Sequence, residues 1–173
     1  MEMANIYKQG AEDGLIFGAL LTATSLLMIY SGRSSVLSLL ALVMLIVLPV
    51  VLFMRLRRCH SMVDAGATIS ALWTLGVVIS VCGSLICGAV TYVWLRYIEP
   101  NFIYDSAMSA IEIYSTMPQI SQSEMVEQLR TAVNEGLLPS EIKLVVNMMM
   151  FTTLLGSVSS LVMAAIIKAT SRR

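Results

Sequence analysis

Four long stretches without a single Asp, Glu, Lys, Arg or His constrain this chain more than anything else: residues 14–30, 36–53, 65–95 and 144–167. A bilayer core about 30 Å thick is crossed by about 20 apolar residues in a helix. Strands are not expected, because the runs do not alternate and a barrel strand needs only about 10 residues. Composition agrees: 57% of the 173 residues are hydrophobic and 13% charged, against about 45–50% and about 25% in a soluble domain. The fold expected is an all-α membrane protein. It has four transmembrane helices and an amphipathic two-helix periplasmic insert (residues 96–143) between the third and the fourth, in one domain over residues 1–173.

The distribution of charge orients the helices. Lys8, Arg55, Arg57, Arg58, Lys168, Arg172 and Arg173 fall on the side of the termini and the second loop. Only Arg33, Arg96, Arg130 and Lys143 fall on the other side. Excess Lys and Arg marks the cytoplasmic face, so both termini of an inner-membrane protein are expected in the cytoplasm. Seven acidic residues, Glu99, Asp105, Glu112, Glu124, Glu127, Glu135 and Glu141, gather in the third connection and make the external insert anionic. Arg55, Arg57, Arg58, Lys168, Arg172 and Arg173 are the residues expected to set topology and to meet lipid headgroups. Trp94, Tyr97 and Tyr30 stand where an aromatic belt belongs. The opening residues, with Glu2, Lys8, Glu12 and Asp13, do not read as a cleavable signal peptide.

Two helices are expected in the insert. Pro100 suits a first turn, and Ile103, Ala107, Ala110, Tyr114 and Met117 share one face, opposite Asp105, Ser109, Glu112 and Thr116. Ser121 and Glu124 form a capping box for a second helix ending at Gly136, with Met125, Val126, Leu129, Ala132 and Val133 apolar. Neither makes an independent core; both are expected on the membrane surface or against the ends of the spans.

Between helices in lipid, small residues every fourth position allow close approach. Gly10, Gly14, Gly18 and Thr22 line the first span, Gly76, Ser80, Ser84 and Gly88 the third, and Thr152, Gly156, Ser160 and Ala164 the fourth. Spans one, three and four are therefore expected to make the close contacts. The second span has no such row, carries Pro49, and is expected to be peripheral.

Residues that signal chemistry are sparse. Ionisable groups at mid-membrane mark pumps and carriers, and the four runs contain none. Cys59 and His60 adjoin each other in the basic loop, short of the four ligands of a closed zinc site. Cys59, Cys82 and Cys87 make no disulfide framework and suit a reducing environment. Glu99, Asp105 and Glu112 read as a solvated face, with Asp105 and Glu112 two turns apart. No catalytic residue, metal site or cofactor is expected, nor a nucleic-acid partner. The partners expected are membrane lipids, another inner-membrane protein or a second copy of the chain.

Two segments carry a resemblance. Gln9-Gly10-Ala11-Glu12-Asp13-Gly14-Leu15-Ile16-Phe17-Gly18 resembles a glycine-bearing first-helix motif. Tyr97-Ile98-Glu99-Pro100-Asn101-Phe102 is similar to a Tyr-Ile-Asp-Pro-Asp-Phe signature after a long third span, with Glu99 and Asn101 replacing its two Asp. Together with the insert helix and an Ile-Ile-Lys ending to the fourth span, they make the chain resemble the domain-of-unknown-function 4199 family, small four-helix membrane proteins of Bacteroidota. Tyr97, Glu99, Pro100 and Phe102 are then the external family motif. The resemblance implies no activity, but an accessory role beside a polyprenyl-phosphate glycosyltransferase. The function expected is a non-catalytic accessory or scaffold subunit of an inner-membrane complex. The alternatives are a protein handling lipid or polyprenyl-phosphate-linked sugar for such an enzyme, and a small-solute transporter.

Overall fold

The computed structural model describes residues 3–31, 34–61, 68–116 and 124–170. They form six α-helices, α1 (Met3–Tyr30), α2 (Ser35–Ser61), α3 (Ile69–Val93), α4 (Phe102–Ser115), α5 (Glu124–Asn134) and α6 (Glu141–Thr170). No strand occurs among the described residues. The segments Gly10–Tyr30, Ser35–Ser61, Ile69–Ile98 and Glu141–Thr170 are long and apolar enough to cross a bilayer. The protein is an all-α membrane protein in which two shorter helices accompany four of membrane length. Its residues cluster into two compact units, Met1–Thr91 with Asn147–Arg173, and Tyr92–Val146. Arg33, Met117, Ser121, Arg172, Arg173 and the start of the expected third span at 65–67 lie outside the described residues.

Local chemistry explains where the helices begin and end. Thr68 caps α3: its side-chain oxygen accepts from the Ala71 N–H at 3.2 Å while its carbonyl accepts from Leu72 at 3.1 Å, the arrangement that satisfies donors orphaned at a helix start. At the far end the helical path continues through a π-turn, Trp94–Ile98, closed by the Glu99 N–H on the Trp94 carbonyl at 3.1 Å. Glu99 then leaves the helix at φ −130°, ψ 68°, because the ring of Pro100 disfavours the α conformation in the residue before it. Asn101 is the residue capping α4, so Pro100 stands just ahead of the helix rather than within its first turn. The stop after α5 is a Schellman motif. Gly136 takes φ 67°, Leu137 N–H bonds the Ala132 carbonyl at 2.8 Å, and Gly136 N–H bonds that of Val133 at 3.4 Å.

In the larger unit the helices alternate in direction. Gly10 faces Val78, Gly14 faces Cys82 and Gly18 faces Ile86; numbers rise together, so α1 and α3 run parallel. Gly76 faces Ser160 and Gly156 faces Ser80, so α3 and α6 run antiparallel. Asp13 pairs with Arg55 across α1 and α2, which points α2 opposite to α1. One apolar core draws on all four: Phe17, Leu52, Leu56, Cys59, Leu72, Leu75, Ile79, Ala164 and Ile167.

That core corrects the expectation that the second span is peripheral. Its first half is indeed outward, with Val36, Leu39, Leu42, Leu45 and Ile46 exposed. Beyond Pro49, however, Leu52, Leu56 and Cys59 are buried at spacings of four and three, one face of a helix. Part of the signal was hidden because lipid-facing and core-facing residues in the span are equally apolar, and part because α2 runs on to Ser61, so that Leu56, Cys59 and His60 are helical where the sequence reads a basic loop.

In the smaller unit α4 packs on α5. Ala107 and Val126 are buried and Ile103, Ala110, Leu129, Ala132 and Val133 half-buried, while Asp105, Ser109, Glu112 and Glu127 are exposed. Among the described side chains the inward faces are those the spacing predicts, except that Tyr114 is exposed. Arg130 donates to the Ser115 hydroxyl at 3.0 Å and Arg96 to Glu141 at 3.5 Å; both are exposed contacts of the kind that stabilise little.

Candidate functional site

Three small-residue rows meet on α3. Toward α6 the match is reciprocal: Gly76 lies under Ser160 and Gly156 under Ser80, and each serine hydroxyl donates to the carbonyl four residues earlier in its own helix, Ser80 to Gly76 at 2.8 Å and Ser160 to Gly156 at 2.6 Å. A Cβ on either glycine would collide with the facing serine's Cβ and hydroxyl. Ser84 extends the seam by sharing a hydrogen bond with Thr153 at 3.1 Å, and the Trp73 indole N–H reaches the Ser157 hydroxyl at 3.4 Å. The seam is close because both helices lack bulk at the crossing, which in lipid is how dispersion contacts are gained.

Toward α1 the crossing point is Gly18 against Gly83, where a Cβ on Gly18 would stand 3.2 Å from the Gly83 Cα. Gly83 was missed in the sequence because it falls off the four-residue row of Gly76, Ser80, Ser84 and Gly88; it sits on the neighbouring face, which meets α1 rather than α6. Gly14 is tighter still, its added Cβ standing 2.7 Å from the Cys82 Cβ. Gly88 is buried on the same helix. Further along, Ser25 and Thr91 hydroxyls lie 3.4 Å apart, and the Cys87 sulfur lies 3.9 Å from Thr91. Thr22 and Thr24 hydroxyls return to the Gly18 and Leu20 carbonyls, both at 2.8 Å.

The basic end of α2 is divided by its geometry. Arg55 turns inward and donates to the Asp13 carboxylate at 2.8 Å, with the two side chains 27% and 12% exposed. Asp13 belongs to the first-helix motif, but nothing in the sequence marks it as a partner of Arg55; only the approach of α1 to α2 makes it one. Arg57 and Arg58, at the next turn, are exposed, as is Lys8, and Lys168 is half-buried. Between the last turns of α2 and α6 lies a cleft of about 230 Å³, lined by Phe53, Arg57, His60, Ser61, Ile167 and Thr170.

The motif at Tyr97, Glu99, Pro100 and Phe102 forms the break between the π-turn and α4. Tyr97 and Pro100 are exposed, Glu99 and Phe102 half-buried. Asp105 and Glu112 point outward, and no three His, Cys, Asp or Glu side chains converge among the described residues.

A sequence profile described as "Protein of unknown function (DUF4199)" matches residues 12–169. No curated protein and no solved structure matches the chain.

Proposed function

The chain belongs to the DUF4199 family, and we propose that it serves as a non-catalytic accessory or scaffold subunit of a complex in the bacterial inner membrane, with both termini in the cytoplasm. The observation that carries this reading is what the polar side chains of the spans do. Ser80, Ser160, Thr22, Thr24 and Thr152 bond carbonyls of their own helices, Ser84 bonds Thr153, and Arg55 bonds Asp13. The first five satisfy their own helices, and the Ser84–Thr153 and Arg55–Asp13 contacts join neighbouring ones, so these side chains serve the packing of the spans. The basic ends of α2 and α6 support the cytoplasmic placement. Native co-purification at endogenous expression should return a stoichiometric membrane partner; a chain recovered alone would overturn the proposal.

A second reading, handling of lipid or of a polyprenyl-phosphate-linked sugar for a membrane glycosyltransferase, draws on the cationic cleft at the ends of α2 and α6. Unchanged glycan profiles in a clean deletion strain would count against it.

A further inference from the structure

We propose that the cleft between the last turns of α2 and α6 holds the phosphate of an anionic glycerophospholipid, with Arg57 as its principal donor and an acyl chain against Phe53 and Ile167. Its lining is amphipathic in the sense such a ligand requires. Phe53 and Ile167 supply an apolar floor, while Arg57, His60, Ser61 and Thr170 supply the polar rim. A guanidinium matches a phosphate with two parallel N–H bonds, and such charge-assisted bonds are the strong ones.

Depth fits as well. Arg57 follows the uncharged run 36–53 by one turn, which sets it at the headgroup level of a membrane whose hydrocarbon that run crosses. The inference thus rests on α2 and α6 ending at a membrane face, and is independent of whether the chain has a protein partner or handles a lipid-linked sugar.

The local field decides the sign of the ligand. Two helix C-termini converge here, each equivalent to about half a negative charge. Arg57, Arg58 and Lys168 outweigh them with three formal positive charges, and among the described residues no carboxylate lines the cleft. Arg55, the other arginine of this end, is already neutralised by Asp13. Arg57 has no ion-pair partner among the described residues and faces the cleft, whereas Arg58 does not line it.

Native mass spectrometry of the full chain in detergent micelles tests this, with dioleoylphosphatidylglycerol as the probe and dioleoylglycerol as the same tails without phosphate. The phosphatidylglycerol adduct should be at least about tenfold tighter than the diacylglycerol adduct, the gain expected of one charge-assisted contact. Arg57→Ala should erase that preference, Arg57→Lys should retain part of it, and Arg58→Ala should change it less than about twofold, since a rim charge acts only through screened Coulomb attraction. Lipid-free melting temperatures unchanged in all three variants show that the fold is intact. Equal binding of the two lipids, an Arg57→Ala variant that keeps the preference, or an equal loss in Arg58→Ala would overturn the proposal. So would displacement of the lipid by millimolar inorganic phosphate, which would make a free anion the occupant.

Discussion

The leucines of the two halves of α2 stand at similar helical spacings and are put to opposite use, and only the second half also carries charge, at Arg55, Arg57 and Arg58. Before Pro49, Val36, Leu39, Leu42 and Ile46 are exposed on a helix whose buried position there is Ala41; after it, Leu52, Leu56 and Cys59 are buried and Arg55 is paired with Asp13. In water the buried half would be recognised by its greasiness. In lipid the surroundings are as apolar as a leucine, so hydrophobicity identifies a span and says nothing about which side of it packs. Shape and the few polar atoms decide instead.

The sharpest way to break this comparison is to truncate one leucine from each half. Leu56→Ala removes a side chain that is 0% exposed, and cavity formation at such a site costs about 2–5 kcal/mol. Leu42→Ala, 60% exposed, should leave stability in micelles unchanged. Equal losses, read from reversible unfolding in mixed detergent, would show that the halves are not distinct.

A smaller effect separates packing by bulk from packing by closeness. Gly156→Ala puts a methyl group into Ser80 and should cost about 1–3 kcal/mol by overpacking. Ser80→Gly should restore most of it in the double variant, because the two sites share one contact. The same alanine placed at exposed Val158 on α6 should be silent in the unfolding midpoint.

The charged end of α2 gives the next step. Asp13→Asn leaves Arg55 half-buried without its carboxylate and should cost about 1–2 kcal/mol, between the values of exposed and buried pairs. Arg58→Ala, one turn on and exposed, should move the melting temperature little. The smallest effect expected is that of Ser84→Ala. It deletes one hydroxyl of the Thr153 contact, and interhelical hydrogen bonds in membranes average about 0.6 kcal/mol.

Much of the fold was legible in the sequence because bilayer thickness is an external ruler. The spans were found from uncharged length, and the insert helices from periodicity and stop signals such as Gly136, whose positive φ is the backbone reason for a glycine there. The rows at Gly10, Gly14 and Gly18, at Gly76, Ser80 and Ser84, and at Gly156 and Ser160 were legible because absent bulk is visible in a list of residues. Gly83 was not, since it becomes a contact only when α1 chooses the adjacent face of α3. Asp13 was not either, because a carboxylate just beyond an apolar run looks like any solvated end.

What the sequence determined by itself is therefore which segments are long and apolar enough to cross a membrane and which helices carry sides without bulk. Hydrophobicity and residue size are properties of single residues. Only the tertiary structure decided that Gly76 meets Ser160 and Gly156 meets Ser80, that α2 turns its Leu52, Leu56 and Cys59 face inward, and that Arg55 is given to Asp13 while Arg57 faces a cleft. Each of these is a relation between helices, and in an apolar solvent such relations are selected by complementary shape and a few polar bonds, which no single segment contains.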